Sequence, residues 1–305
     1  MDFLGVFSAI LVLFVIIGLG FFARKHGILD KTRVHWVSHI LVTVALPALT
    51  ISSMQLPFTP ENVSIVSHTL VLAFGYYVGA FVFSLVVCRF LPATRAETGV
   101  FRFMLIFPNV GFMGIPVASA ILGPQALFYL ILFNLPFNLL VFTMGVWLLA
   151  QGRQEKPGLS LLLTPGFVAS LVGLALFAAG YDIPFPLDTL LDWVGRTTTP
   201  LAMLMVGALL ATLPLSRLAG DWRVSLIAFL RLIIMPILAF VLLTPFVHDP
   251  LLVGTVVLLI AMPVAANTVL LSEEYGVDAT LASQGVFLST LLCLVTIPLL
   301  EFLLF

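Results

Sequence analysis

The residues best placed to do chemistry stand in one run, Phe107-Pro108-Asn109-Val110-Gly111-Phe112-Met113-Gly114-Ile115-Pro116, with two prolines and two glycines in ten positions. Proline lacks a backbone donor and clashes with the preceding turn, and glycine weakens the helix further, so the run predicts a helix interrupted near its middle. An interruption exposes the amino end of the second half-helix, whose free N–H groups and dipole favour negative charge. A second run, Met262-Pro263-Val264-Ala265-Ala266-Asn267-Thr268, repeats the device with fewer breakers. Two such interruptions facing each other make an anion site. Pro108, Asn109, Val110 and Gly111 would line it from one side, and Pro263, Ala266, Asn267 and Thr268 from the other. Asn109 and Asn267 supply amide donors and acceptors without a permanent charge, so an empty site crosses lipid cheaply. The bland reading of the same residues is a kinked membrane helix, with Asn109 capping a freed carbonyl.

Positioning such interruptions takes long helices in a medium that leaves unpaired backbone nowhere else to go. Of 305 residues, 61% are hydrophobic and 9% charged, and the mean hydropathy is +1.21. A soluble domain carries about a quarter charged residues, so soluble enzymes, nucleic-acid binders and secreted disulfide scaffolds are excluded. Long unbroken apolar runs predict helices, whereas a membrane barrel would alternate in ten-residue segments. Charge and turn punctuation predicts an all-α polytopic membrane protein of ten spans. They lie at about 3–22, 34–54, 64–88, 98–121, 126–149, 160–179, 189–212, 223–246, 251–273 and 280–304. Counted at about 1.5 Å per residue, the interruption near Pro108 falls at mid-depth of a hydrocarbon core about 30 Å thick. Backbone left unpaired there is tolerated only where protein or a cavity surrounds it.

Eleven of the thirteen Lys and Arg residues fall in or beside the first, third, fifth and seventh connections, while the even-numbered ones carry Glu61, Asp182, Asp188 and Asp249. The positive-inside rule makes the odd connections cytoplasmic, with both termini on the outer face of a cytoplasmic membrane. The first span has no basic residue before it and exceeds a signal-peptide core, so it reads as retained. The polar linker within 151–159 divides the chain into halves 1–150 and 160–305 of five spans each, and an odd number per half predicts inverted repeats. The halves echo each other in Trp36-Val37 and Trp193-Val194, in Pro47 and Pro200, and in the Gly123–Ala126 and Gly276–Ala279 spacings.

The run from Pro108 to Pro116 resembles the fourth-helix signature of the auxin efflux carrier family, which includes plant auxin transporters and bacterial organic-acid carriers such as malonate transporters. Ser272-Glu273-Glu274-Tyr275-Gly276-Val277-Asp278, followed by Ser283, Phe287 and Pro298, is similar to that family's ninth-to-tenth helix junction. The resemblance spans essentially the whole chain. It implies a bile-acid-symporter-like fold in which helices 4 and 9 cross, helices 1, 2, 6 and 7 form a scaffold and homodimer surface, and helices 3–5 and 8–10 form a moving transport domain. It implies a secondary carrier of a small organic anion, working by elevator-type alternating access, with Asn134 and Asn138 of helix 5 as further substrate contacts. The linker of about eight residues replaces the long regulatory loop of many plant members, so phosphorylation control of that sort is not expected, and the Ala265-Ala266-Asn267 pattern departs from plant members, which disfavours auxin itself as substrate. No cofactor is implied, and the coupling ion, H⁺ or Na⁺, stays open; a sodium-coupled symporter using Asn109, Thr268 and Glu273, and a membrane sensor that binds without transport, are the alternatives.

Arg231 lies about nine residues into the eighth span, where a bare cation is costly and needs partners. Helix-end carbonyls, or Glu273 and Glu274 at the end of the ninth span, are the structural candidates; an electrostatic role towards an anion is the functional one. Arg196 has Asp192 four residues before it, an ordinary surface pair. His35 and His39 are one turn apart but lack a third metal ligand, and His68 could carry a proton or simply cap. Cys88 and Cys293 sit in apolar runs as small hydrophobes. No nucleotide loop, metalloprotease helix or nucleophile elbow is present, so neither enzymatic hydrolysis nor ATP-driven pumping is expected.

Overall fold

The computed structural model describes residues 3–150, 164–212, 221–275, 277 and 279–304; among these the secondary structure is helical, apart from one isolated bridge between Pro108 and Val264. In chain order the helices are α1 (Phe3–Lys25), α2 (residues 31–53), α3 (Pro60–Phe90), α4 (Arg95–Ile106), α5 (Val110–Leu122) and α6 (Ala126–Leu149). They continue as α7 (Pro165–Ala178), α8 (Leu187–Arg196), α9 (Thr198–Leu210) and α10 (Trp222–Leu243). The last are α11 (Pro250–Ile260), α12 (Asn267–Glu274) and α13 (Ala279–Leu304). By length and composition α2, α3, α6, α10 and α13 can each cross a membrane alone, while α5, α7 and α11 are shorter apolar helices. The fourth expected span is thus split into α4 and α5, the seventh into α8 and α9, and the ninth into α11 and α12. The linker 151–159, Gly276 and Asp278 lie outside the described residues.

Short polar side chains start these helices by accepting from the first free N–H groups: Asp30, Thr59, Thr164, Asp221 and Asp249 each do so. At α4 the capping box is complete, with Glu97 returning to the Thr94 N–H. Gly123, at φ 85°, ends α5 in a conformation that a side chain resists.

Three of the four π-turns among the described residues have a common cause, the exception being 141–145. The three cover residues 41–45, 110–114 and 230–234, and each is followed by a proline at the second position beyond it: Pro47, Pro116 and Pro236. A proline ring strikes the carbonyl four residues back, here Thr43, Phe112 and Leu232, each the middle of its π-turn. Widening the turn relieves that clash without ending the helix.

The first half of the chain meets the second closely at α1 and α9. A Cβ on Gly20 would collide with the Leu204 carbonyl, and one on Gly207 with the Ile17 carbonyl. Small residues permit this backbone approach, as in other membrane helix pairs. The later part of α2 packs on α7 and α8, and α9 packs on both α1 and α2. Around the interruptions, α3 packs on α4 and α6, α10 on α11 and α13, and α12 on α13 and α4. Trp36, Trp147, Trp193 and Trp222 are exposed near helix ends, and Val71, Val78, Phe90 and Val295 are exposed along the sides, as expected for a multi-pass protein coated by lipid.

Candidate functional site

The two interruptions meet. The Asn109 N–H donates to the Pro263 carbonyl at 2.8 Å, and the Ala265 N–H donates to the Phe107 carbonyl at 3.0 Å, so Pro108 and Val264 face each other as an antiparallel bridge. Away from water every backbone polar group needs a partner, and the crossing, buried at Phe107, Val110, Met262 and Val264, supplies several of them. The Val264 N–H donates to Ser289 Oγ of α13 at 3.0 Å. The Val110 N–H turns back to the Pro108 carbonyl at 2.9 Å, closing an inverse γ-turn in which Asn109 has φ −79° and ψ 66°. The second interruption, between Ile260 and Asn267, is longer than the first, between Ile106 and Val110, although it holds fewer helix breakers.

Asn109 is the N-cap of α5. Its Oδ1 accepts from the Phe112 N–H at 3.3 Å and its carbonyl accepts from the Gly114 N–H at 2.9 Å. The sequence alternative had it capping a carbonyl; the partner is an N–H, because the chain reverses at Asn109 and brings its side chain over the first turn. No hydrogen bond from its Nδ2 occurs among the described residues. Space is open beside Gly111, where a Cβ would meet nothing within 4 Å, whereas Gly114 faces the Leu259 side chain closely. The 110–114 turn packs against α6, α9 and α11.

From the other side, Ala266 and Thr268 are buried and Asn267 is partly so at the first position of α12. Thr268 donates through its N–H and its Oγ1 to the Ala265 carbonyl, at 3.0 and 2.7 Å. Asn134 and Asn138 share one partly exposed face of α6, and Asn134 Oδ1 is buried without a partner. The structure thus joins the Pro108 and Pro263 runs directly; α6, which carries Asn134 and Asn138, packs against the 110–114 turn, and among the described residues no hydrogen bond joins either asparagine to the two runs.

Arg231 is fully buried at the edge of this crossing. Its Nη1 donates to the Tyr76 hydroxyl at 2.6 Å and the Leu105 carbonyl at 2.9 Å, and its Nε reaches the Met262 carbonyl at 3.4 Å. Tyr76 passes its own proton to the Ile106 carbonyl at 2.9 Å. Of the two structural candidates, the helix-end carbonyls hold this cation; the side chains of Glu273 and Glu274 lie outside those described. The π-turn ahead of Pro236 carries Arg231, and its placement has a second anchor. At the amino ends of the same two helices Arg223 pairs with Glu97 at 2.7 Å and Asp221 at 2.7 Å. Arg223 to Arg231 and Glu97 to Leu105 are equal steps of eight residues, about 12 Å, so α10 and α4 run side by side in one direction, pinned at both levels. The Arg223 hydrogen bond and the Thr94 N–H hold the Glu97 carboxyl down to about 2.

Tyr76 and Ser289 were not expected from sequence. The signal was indirect: a buried arginine without an acidic neighbour demands neutral acceptors, and Tyr76-Tyr77 is a polar aromatic pair within the third span. Tyr76, Tyr77, Phe107 and Phe133 cluster at the crossing in edge-on and tilted pairs with centroids 4.9–6.0 Å apart. Arg196 pairs with Asp192 at 2.8 Å. His68 is exposed and bonds to Ser64 of its own helix at 2.8 Å. His35 and His39 stack at 6.4 Å, and no group of three metal-ligating side chains occurs among the described residues. Cys88 and Cys293 are buried and free.

With this geometry in view, the likenesses to known proteins are informative. The family model described as membrane transport protein matches residues 5–158 and 154–300. A Rhizobium meliloti protein named "Putative malonate transporter" is 27% identical over 301 residues, covering 94% of this chain and 92% of that one. An "Uncharacterized transporter" of Methanothermobacter thermautotrophicus is 24% identical and covers 98% of both chains. The "Uncharacterized transporter YfdV" of Escherichia coli K12 is 25% identical and covers 95% of both.

Proposed function

The chain belongs to the membrane transport protein family, that of the auxin efflux carriers, and from that premise we propose that it is a secondary carrier of a small organic anion, a mono- or dicarboxylate of the malonate kind. The observation that carries this reading is the bridge between Pro108 and Val264, where two interrupted helices join inside the protein. A bridge of that sort directs the amino ends of α5 and α12 to one place, and amino ends attract anions. Asn109 Nδ2 and the open space beside Gly111 add a neutral donor and room. The substrate is held by residues 108–111, 263 and 266–268, with Asn134 and Asn138 on the flank of its path.

In this proposal the chain crosses a cytoplasmic membrane ten times as two inverted halves, 1–150 and 160–305, with both termini outside. Helices α1, α2 and α7–α9 form the scaffold and the homodimer surface; α3–α6 and α10–α13 carry the substrate past it in an elevator motion. The packing of α1, α2, α7, α8 and α9 upon one another supports this grouping. The malonate in one relative's name supports a small carboxylate.

Uptake of labelled organic acids into proteoliposomes tests the reading, with Asn109→Ala as the control and choline replacing sodium in a parallel series. Saturable uptake of at least one carboxylate, lowered about tenfold or more by Asn109→Ala, is expected. Unchanged uptake by that variant would remove the substrate from the crossing.

A further inference from the structure

We propose that Arg231 strengthens the crossing's preference for anions, by cancelling the negative ends of the two half-helices that run into it, and that the preferred guest therefore carries a single charge. The inference rests on the carrier reading above and adds a charge rule to it. Each interruption has two ends. The carboxyl ends of α4 and α11 each carry about half a negative charge, and the amino ends of α5 and α12 about half a positive one. Four half-charges sum to nothing overall, so crossed interruptions alone attract an anion only at close range, where it sits against the amino ends.

Arg231 breaks that balance from the carboxyl side only. Its donors go to the Leu105 carbonyl in the last turn of α4 and to the Met262 carbonyl just beyond α11, and Tyr76 relays it to the Ile106 carbonyl. A whole positive charge set against two negative halves leaves the amino ends of α5 and α12 uncompensated, about one positive charge in all. No carboxylate forms an ion pair with Arg231 among the described residues, and its Nη2 is buried without a partner. Because the guanidinium is fully covered, it acts through the field and by positioning, without touching the guest. A singly charged anion leaves the loaded crossing neutral. A dianion leaves an excess negative charge in low dielectric, and a neutral molecule leaves the positive one unmatched.

The test uses three probes of nearly one shape at one mildly alkaline pH: malonate as the dianion, monomethyl malonate as the monoanion and dimethyl malonate as the neutral diester. Binding to the full-length protein in nanodiscs is measured by calorimetry, for wild type, Arg231→Gln and Arg231→Lys. The monoester should bind most tightly and the diester not detectably. Arg231→Gln should weaken the monoester about tenfold or more, and Arg231→Lys should recover most of that loss. Equal binding by Arg231→Gln and wild type overturns the inference while leaving the carrier reading intact, as does a wild type that prefers the dianion or the diester. If Arg231→Gln fails to fold, the wild-type ranking of the three probes decides alone. If wild type binds none of them, the malonate-like carrier reading fails and this inference with it.

Discussion

Single residues at the crossing are governed by whether a buried polar group finds a partner. Among the described residues the Val264 N–H bonds to Ser289 Oγ alone, and Ser289 in turn donates to the Gly285 carbonyl at 2.6 Å. Ser289→Ala should therefore destabilise the protein by about 1–3 kcal/mol, read as a lower midpoint of thermal unfolding in detergent, because an N–H is stranded away from water. Ser289→Cys, which keeps a weak acceptor, should lose less. Tyr76→Phe removes the proton given to Ile106 and one acceptor of Arg231, and the same measurement should fall by a similar amount. The composition of the Pro108 and Pro263 runs was enough to anticipate interruption there, since proline and glycine act on their own backbone. Arg231 was legible as a residue in need of partners. Which partners it found was not, because Tyr76 stands 155 positions away.

At the level of elements, prolines do two different things here. Pro108 and Pro263 lie where the helix is given up, while Pro47, Pro116 and Pro236 lie just past π-turns that let the helix continue. Both outcomes relieve the same clash, and the surroundings select between them: the crossing supplies bonds for a broken backbone at Pro108, and lateral packing keeps the other helices whole. The α1–α9 contact depends on the absence of side chains. Gly207→Ala should cost about 1–3 kcal/mol or more, lowering the yield of folded protein and its unfolding midpoint, since the colliding Ile17 carbonyl is backbone and cannot swing aside. Gly111→Ala meets open space and should leave the unfolding midpoint unchanged, while a side chain there intrudes on the proposed substrate path and should lower uptake.

At the scale of the whole molecule, the amino ends of α4 and α10 and the crossing are tied through those two parallel helices. The Glu97 carboxyl, held at about 2 by Arg223 and Thr94, has a folded value below its unfolded one. It contributes stability that is complete above the ordinary carboxylate range and is lost as pH falls from there towards about 2. Wild type should thus lose thermal stability over that acid interval, and Glu97→Gln should flatten the loss. Orientation is tested separately: single cysteines at Glu61 and Asp182 should react with impermeant reagents from outside intact cells, and one at Lys156 should not.

The sequence by itself determined that this chain lives in a membrane as a string of apolar helices, that two of its spans are interrupted and that it belongs among the membrane transport proteins. Those properties are local: hydropathy, proline, glycine and charge act within a few residues of where they stand. Only the tertiary structure decided that the interruptions bond to each other and that a buried arginine closes the carboxyl ends of two half-helices at once. The bridge and the Arg231–Leu105 bond join segments more than a hundred residues apart, and these contacts form because unpaired backbone away from water must find partners wherever packing brings them.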